Sequence, residues 1–250
     1  MKPFHLFLIA AIGLMFAASL RAGNVPDDFT ALYAISLNNF VIGESEIKLE
    51  AQPKSQYLYR SNTRSTGIAR LFRSDVVQES SRFDIRRSSI RPLEYRFDHT
   101  GSKKQRHALL NFDWKNMKVS NTVEGHTWEM EIPQNALDKL VVQIAVMADL
   151  TAGKKELIYN IADGGKLKEY RFAVVATETI RVPAGEFEAF KIERIRKDND
   201  RTTYLWCAPS LNYLPVRIEQ IEHEDDVTYL SELKQTSIGG QPTATEPATP

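Results

Sequence analysis

The sequence lacks the short motifs that mark most catalytic and nucleotide-binding sites. It contains no G-x-S-x-G nucleophile turn, no G-x-x-x-x-G-K-[ST] phosphate loop and no G-x-G-x-x-G dinucleotide turn. It has a single cysteine, Cys207, so no intramolecular disulfide can form. No activating base lies near Cys207 in the sequence, and we interpret this thiol as a small buried apolar group rather than a nucleophile. We therefore predict a protein that is not an enzyme and has no cofactor.

Metal-ligand spacing is also missing. His99, His107, His126 and His223 are isolated along the chain, without an H-E-x-x-H pair. The acidic run Glu222–Asp226 is the nearest approach to a cation site, but it falls between two predicted strands, where charged turn residues are common. We predict no metal site.

Charge of one sign is not in excess, since 32 Lys and Arg residues face 32 Asp and Glu residues. Nucleic-acid binding requires a concentrated basic face. The locally basic stretch from Arg86 to Arg106 is typical instead of strand edges, where cations discourage edge-to-edge pairing. The sequence therefore predicts no nucleic-acid partner.

Only one long apolar run occurs, Leu6–Ala18, which follows Lys2 and precedes a small-residue junction at Ala22. This layout predicts a secretory signal peptide over residues 1–22 with cleavage after Ala22. The run is shorter than the roughly 20 residues that cross a bilayer, and an uncleaved N-terminal anchor is the alternative. No cysteine lies directly after the run, so the acylation site of a lipoprotein is missing. We predict an exported protein that is not an integral membrane protein.

Beyond this segment, short alternating runs separated by turn residues dominate, which is typical of β-strands. Tyr33, Ile35 and Leu37, for example, alternate with small or polar residues. Gly43 interrupts the next run and predicts a bulge or a close backbone approach. Because consecutive runs of this kind usually pair with each other, we expect an antiparallel meander.

One segment, Asn135–Leu150, breaks the alternation. It follows Pro133 and precedes Gly153, and its apolar residues recur at helical spacing. They are Leu137, Leu140, Val141, Ile144 and Ala148, with Met147 close to this stripe. The spacing predicts an amphipathic helix of about four turns that packs on the sheet.

The end of the chain, from Gly239, has no apolar periodicity and predicts a disordered tail over residues 239–250. No repeat or linker divides the remainder, so we expect a single β-rich domain over residues 23–238. So many strands must curl or split to protect their edges. The predicted fold is mainly β, a strongly curved antiparallel sheet that is either a β-roll or an open half barrel, with the one helix against its concave side.

Five groups of residues carry a family resemblance. They are Tyr33–Leu37 with Ile42–Glu44, Leu137–Leu140 with Asp149–Leu150, Tyr159–Gly164, Val182–Phe187 and Trp206–Ile218. In this order they resemble the bacterial DUF3108 family of exported proteins of unknown function, and the last group is the most specific. The resemblance implies a secreted, mostly β protein of the Gram-negative envelope, which we place in the periplasm, and it brings no catalytic residues.

Four functions remain open at this point. The first is a non-catalytic periplasmic protein that shelters an apolar ligand such as a lipid, or a segment of an envelope protein, in the curved sheet. The second is a purely structural or assembly protein with a packed core. The third is an outer-membrane barrel, which the charges on both strand faces around Arg194–Lys197 oppose. The fourth is an envelope hydrolase, which no motif supports.

The first hypothesis places the ligand beneath the helix. Apolar side chains of the helical stripe would line the cavity, together with aromatic side chains of the Trp206–Ile218 segment. The candidate ligand-binding residues are Leu140, Ile144, Met147, Trp206 and Tyr213. Pro209 and Pro215 bracket the loop that presents Tyr213, an arrangement that also suits a structural plug.

Overall fold

Alternating side-chain polarity sets the course of most of the chain. Along the second strand, Ile47 and Leu49 are buried. The residues that alternate with them are more accessible, since Glu46 is exposed and Lys48 is half-buried. Successive residues of a strand point to opposite faces, so this pattern gives one face to the core and one to solvent. The structure, a computed structural model, describes residues 26–67, 75–101, 105–196 and 200–242, and the predicted signal peptide lies outside these ranges.

The described ranges contain sixteen strands, one α-helix and two short 3-10 turns. The strands are β1 (Phe29–Leu37), β2 (Phe40–Gln52), β3 (Gln56–Ser65), β4 (Val76–Arg86), β5 (Ser89–Thr100), β6 (Arg106–Asp113), β7 (Lys118–Val123), β8 (His126–Glu131), β9 (Ala136–Asp138), β10 (Glu156–Asp163), β11 (Lys166–Val182), β12 (Gly185–Ile195), β13 (Arg201–Ala208), β14 (Leu214–Glu222), β15 (Val227–Ile238) and β16 (Gln241–Pro242). The helix is α1 (Val142–Thr151), and the 3-10 turns are Pro53–Ser55 and Pro209–Leu211.

The strands form one sheet in the order β8-β7-β6-β5-β4-β3-β2-β1-β15-β14-β13-β12-β11-β10-β9, with β16 beside β15. Neighbours are antiparallel except for β9 and β10, which run parallel. The two halves of the sheet join where β1 pairs with β15, from Phe29 opposite Ile238 to Leu37 opposite Tyr229. The chain therefore runs as two meanders, which confirms the predicted sequential pairing.

The sheet curls until its two ends approach each other. A small apolar cluster joins Tyr95, Leu110 and Val119 of β5–β7 to Ala136 of β9 and Ala162 of β10. In the described ranges the end strands β8 and β9 are not hydrogen-bonded to each other. The fold is therefore an open, barrel-like sheet with one helix, which confirms the predicted fold class.

Trp128 of the end strand β8 lies against the β10–β11 turn. A Cβ atom at Gly165 of that turn would stand 2.2 Å from Trp128 Cζ2, and the φ angle of Gly165 is +72°. Only glycine combines this backbone conformation with room for the indole ring. This contact brings one end of the sheet against the hairpin beside the other end.

The helix begins later than the sequence predicts. Ala136–Asp138 forms β9, in which Leu137 pairs with Ile161 of β10. The Asp138 carboxylate then accepts hydrogen bonds of 2.8 Å from the backbone N–H groups of Leu140 and Val141. An aspartate that captures nearby backbone donors favours a turn over a helix. The predicted helix was therefore wrong up to Val141.

Helix α1 is apolar around more of its circumference than the predicted stripe. Its buried residues are Val142, Ile144, Ala145, Val146, Met147 and Leu150. Gln143, Ala148 and Asp149 are half-buried. A helix that is apolar on most sides is typical of a core position, and α1 packs in one large cluster with residues of both halves of the sheet.

Two further sequence predictions, at Gly43 and at the tail from Gly239, can be compared with the structure. A Cβ atom at Gly43 would lie 2.7 Å from the carbonyl oxygen of Arg64, which confirms the predicted close backbone approach. The predicted tail begins with ordered chain, because the N–H of Gly239 donates to the carbonyl of Asp28 at 2.8 Å and β16 pairs with Ser237–Ile238. Residues 243–250 lie outside the described ranges.

Candidate functional site

Three of the candidate ligand-binding residues lie in α1 or just before it and pack against the core. Ile144 is 0% exposed and Met147 is 1% exposed, and both belong to the large apolar cluster. Leu140 is half-buried and packs against both apolar clusters. These side chains share the large apolar cluster and are packed among core residues.

Trp206 belongs to the same large apolar cluster but lies in the sheet, on β13. It pairs in register with Lys191 of β12 and Arg217 of β14, and both cations lie over its indole ring, at 5.0 Å and 5.8 Å from the centroid. The neighbouring Cys207 is fully buried. Trp206 is itself only 5% exposed, and the two cations lie over its ring as cation–π partners.

Tyr213, in the loop before β14, is half-buried and packs against the large apolar cluster. Its φ angle is 60°, and its N–H donates a 2.9 Å hydrogen bond to the carbonyl of Ala208. Its ring meets Phe190 edge to face with centroids 5.6 Å apart. Asn212 before it also has a left-handed φ of 53°. The loop is therefore fixed by its backbone and by ring packing.

A polar groove of about 430 Å³ crosses β2–β5 on the side opposite the core. Four side chains at paired positions, one from each strand, form what we call the polar row: Glu46, Asn62, Gln78 and Asp98. Neighbouring strands lie about 4.8 Å apart, so the polar row spans about 14 Å. None of the five candidate ligand-binding residues lines this groove.

A second row of paired positions runs beside the polar row and contains three cations, Lys48, Arg60 and Arg96. Lys48 Nζ lies 2.8 Å from Glu50, and Arg60 also pairs with Glu50. Hydrogen bonding from Lys48 and then Arg60 holds the pKa of Glu50 below its usual value. Arg96 Nε lies 2.8 Å from Glu94. The three cations are therefore already compensated on the side away from the polar row.

The polar row itself is mostly unpartnered. Within the described ranges, the side chains of Glu46, Asn62 and Gln78 form no hydrogen bond or ion pair with another residue. Asp98 Oδ1 lies 2.7 Å from His107 Nδ1. Three adjacent strands thus present one free carboxylate and two free amides to the groove.

The groove continues past Asp98 onto β6 and β7. A second, smaller depression of about 200 Å³ shares Arg96 and Asp98 with the first and adds His107 and Thr122. The backbone N–H of His107 donates to Glu124 at 2.8 Å, which fixes this end. The polar surface therefore extends over six neighbouring strands.

A buried acid lies on the opposite, core side of β4. Ser81 donates a 2.5 Å hydrogen bond to Asp138 Oδ2, and both residues are 0% exposed. Burial raises the pKa of Asp138 to about 6, against the opposing effect of its hydrogen bond with Ser81. A carboxyl group with this pKa changes charge in a mildly acidic solution.

A second acid lies close to this pair and is more accessible. Glu79 accepts a 2.8 Å hydrogen bond from the Tyr95 hydroxyl, and Lys139 Nζ lies 3.6 Å from its other oxygen. Lys139 also lies 4.3 Å from the ring centroid of Phe97. These contacts tie the segment before α1 to β4 and β5, and every charged group in them has a partner.

The remaining reactive side chains in the described ranges are Cys207 and the scattered His, Asp and Glu residues. Burial raises the pKa of the Cys207 thiol well above its usual range, so this sulfur is held in its unreactive protonated form. In the described ranges no three His, Cys, Asp or Glu residues are grouped so that they could hold a metal ion. No described helix is long and apolar enough to cross a membrane.

The polar row is not predicted from the sequence, although part of its pattern is visible there. Glu44, Glu46, Lys48 and Glu50 alternate with buried residues along β2, which marks one face as fully charged. The register that places Asn62 beside Glu46 is a tertiary property, and alternation along one strand cannot supply it.

One solved structure supports the barrel-like fold. A β-barrel-like protein of the domain of unknown function DUF1849 from Brucella abortus superposes with a TM-score of 0.56 at 10% identity, covering 87% of this chain and 99% of that one. A candidate exported protein with a YmcC-like fold from Bacteroides fragilis has a TM-score of 0.36 at 12% identity, covering 86% and 97%. A candidate lipoprotein from Parabacteroides distasonis gives 0.37 at 12%, covering 86% and 98%.

The match to a family model identifies the family of the chain, which the solved structures do not. No curated protein matches the sequence significantly. The model of the DUF3108 family, described as a protein of unknown function, matches residues 32–229, which is most of the chain and nearly all of the curved sheet. The match spans all the segments that carried the resemblance. The chain therefore belongs to the DUF3108 family.

Proposed function

We propose that this protein is a non-catalytic periplasmic binding protein that holds a neutral, hydroxyl-rich ligand, such as a short saccharide, in the groove across β2–β5. One observation carries the proposal: Glu46, Asn62 and Gln78 lie side by side without partners in the described ranges. Carboxylate and amide groups together offer both acceptors and donors, which is what a set of hydroxyl groups requires. Their spacing across the strands repeats about every 4.8 Å.

The charges of the groove favour a neutral ligand. An anion would approach the free carboxylate of Glu46, and the cations beside it are already paired with Glu50 and Glu94. A cation would in turn meet Lys48, Arg60 and Arg96. Hydroxyl groups carry no charge, so neither the carboxylate nor the cations repel them, and they can hydrogen-bond to the polar row.

An apolar ligand beneath α1, the first expectation from the sequence, has less support. Such a ligand would have to contact Ile144 and Met147, which are 0% and 1% exposed. Reaching them would require α1 to leave the core and lose its packing there. The groove requires no such movement.

The periplasmic location and the lack of catalysis are parts of the same proposal. The signal-peptide pattern of residues 1–22 supports export. The unreactive Cys207 and the missing catalytic motifs support a binding role.

Native mass spectrometry of the mature protein purified from the periplasm tests the proposal. We expect a bound species on the wild type that is lost from the variant Glu46→Ala/Asn62→Ala/Gln78→Ala. The control Asn111→Ala/Ser120→Ala removes two polar side chains from the same sheet face outside the groove, and it should keep the bound species. A wild type without any bound species, or a groove variant that retains it, would contradict the proposal.

A purely structural protein is the second candidate, and the burial of α1 favours it. Six of the ten residues of α1 are buried in a continuous core. This candidate predicts that periplasmic protein carries nothing and that the groove variant and its control behave alike.

A further inference from the structure

We propose that the tip of the β1–β2 hairpin, formed by Phe40 and Val41, inserts into a lipid surface of low net charge. We call these two residues the apolar tip. The proposal is independent of the ligand in the groove, since neither residue lines it.

Exposure is the first observation. Phe40 is 77% exposed and Val41 is 61% exposed, the two highest values among the large apolar side chains of the described ranges. Successive strand residues point to opposite faces. Phe40 and Val41 are therefore exposed on opposite faces of the hairpin. The tip protrudes from the molecule and is not a patch on a flat surface.

The backbone holds the apolar tip in place. Asn38 and Asn39 form the turn, with φ angles of 45° and 70°, and such positive values suit a tight two-residue hairpin. Asn38 N–H donates to the carbonyl of Thr228 at 2.9 Å, and Asn38 Oδ1 accepts from Thr228 N–H at 2.7 Å. The adjacent strand β15 thus anchors the turn, so little order has to be gained when the tip inserts.

The size of the apolar tip favours lipid over a protein partner. Two side chains present on the order of 200 Å² of apolar surface, whereas a stable protein interface buries about 800 Å² on each partner. A small convex group needs no complementary pocket in a bilayer interface. Tyr229, which is 41% exposed and pairs with Leu37 next to the turn, adds an amphipathic ring of the kind that favours this interface.

Neighbouring charge sets the type of lipid. Residues 37–42 contain no charged side chain. The acidic turn Glu224–Asp226 precedes Thr228, which is bonded to Asn38, so it lies beside the apolar tip. These carboxylates would repel a strongly anionic surface.

Vesicle co-sedimentation with the mature protein, which lacks the apolar run Leu6–Ala18, tests the proposal. We expect binding to phosphatidylcholine vesicles, and about tenfold weaker binding for Phe40→Ser/Val41→Ser. The matched control is Ile158→Ser/Val175→Ser, which removes two exposed apolar side chains elsewhere on the sheet and should bind like the wild type. Circular dichroism of each variant ensures that a folded protein is compared.

Varying the negative charge of the vesicles provides a second measurement in the same assay. Adding phosphatidylglycerol should weaken binding of the wild type, and Glu224→Gln/Asp225→Asn/Asp226→Asn should restore it. Absence of binding, equal loss in the tip variant and its control, or stronger binding to the anionic vesicles would overturn the proposal. A dimer that dissociates in the tip variant would also overturn it, because a second copy would then cover the apolar tip.

Discussion

The Ser81 hydroxyl donates a 2.5 Å hydrogen bond to the carboxylate of Asp138, 57 positions further along the chain. The bond joins the centre of β4 to the turn that starts α1. The other oxygen of Asp138 holds that turn through the N–H groups of Leu140 and Val141. One buried carboxylate thus determines where the sheet ends and the helix begins.

This carboxylate makes the stability depend on pH. Its pKa is about 6 in the folded protein and near 3.8 in an unfolded chain, so the folded state binds the proton more tightly. The stabilisation from this proton is complete below pH 3.8 and is lost as pH rises through 6. Between pH 4 and 7 we expect Asp138 to lower the free energy of unfolding by about 2–3 kcal/mol.

Urea unfolding over this pH range, with wild type and Asp138→Asn, measures the effect. Asparagine keeps an oxygen acceptor for the two N–H groups but does not titrate, so the variant should lose this part of the pH dependence. Glu156→Gln, a change at an exposed acid, is the control. The same pH dependence in Asp138→Asn and wild type would show that Asp138 is not the titrating group.

Gly165 and Gly164 provide a matched pair for the contact across the sheet opening. Both have positive φ, but a Cβ atom would meet Trp128 only at Gly165. We expect Gly164→Ala to cost about 1 kcal/mol from backbone strain. Gly165→Ala should cost a further 1–3 kcal/mol or so because it displaces the indole ring.

A double-mutant cycle in denaturant isolates the contact. In a Trp128→Ala background, Gly165→Ala should cost no more than Gly164→Ala does. If the excess cost at Gly165 persisted without the indole ring, the contact with Trp128 would not be its cause.

The packing of α1 predicts unequal costs for two apolar truncations. Ile144→Ala removes a fully buried side chain and should lower the free energy of unfolding by about 2–5 kcal/mol. Leu140→Ala, at a half-buried position, should cost less. Equal, small decreases in the free energy of unfolding at both positions would indicate unfilled space beneath the helix. That result would support the apolar-ligand hypothesis.

The buried thiol predicts resistance to alkylation. Cys207 is 0% exposed and its pKa is raised by burial, so iodoacetamide should modify it only when the protein unfolds. The modification rate should therefore rise with denaturant in parallel with unfolding. Fast labelling of the native protein would contradict the buried position.

Much of the fold can be predicted from the sequence because alternation is a local property. The runs around Tyr33 and Ile47, and the close approach at Gly43, are readable along a single strand. The start of the helix is not, because the carboxylate of Asp138 and the pairing of β9 with β10 outweigh the helical spacing. That competition involves residues far apart in the sequence.

The site was harder to predict, for a similar reason. Trp206 was grouped with the helix because it is aromatic and apolar, but cross-strand pairing places it between Lys191 and Arg217. The polar row likewise exists only in the register of β2 with its neighbours. A one-residue change of register would move these side chains to the other face.

Carboxyl footprinting of Glu46 tests the central claim, a ligand bound at the polar row, most directly. Protein purified from the periplasm is compared with the same protein after unfolding, dialysis and refolding, by the rate of carbodiimide labelling at Glu46. Exposed Glu156, outside the groove, is the internal reference. We predict slower labelling of Glu46 in the periplasmic sample, with Glu156 unchanged; equal rates at Glu46 in the two samples would contradict the account.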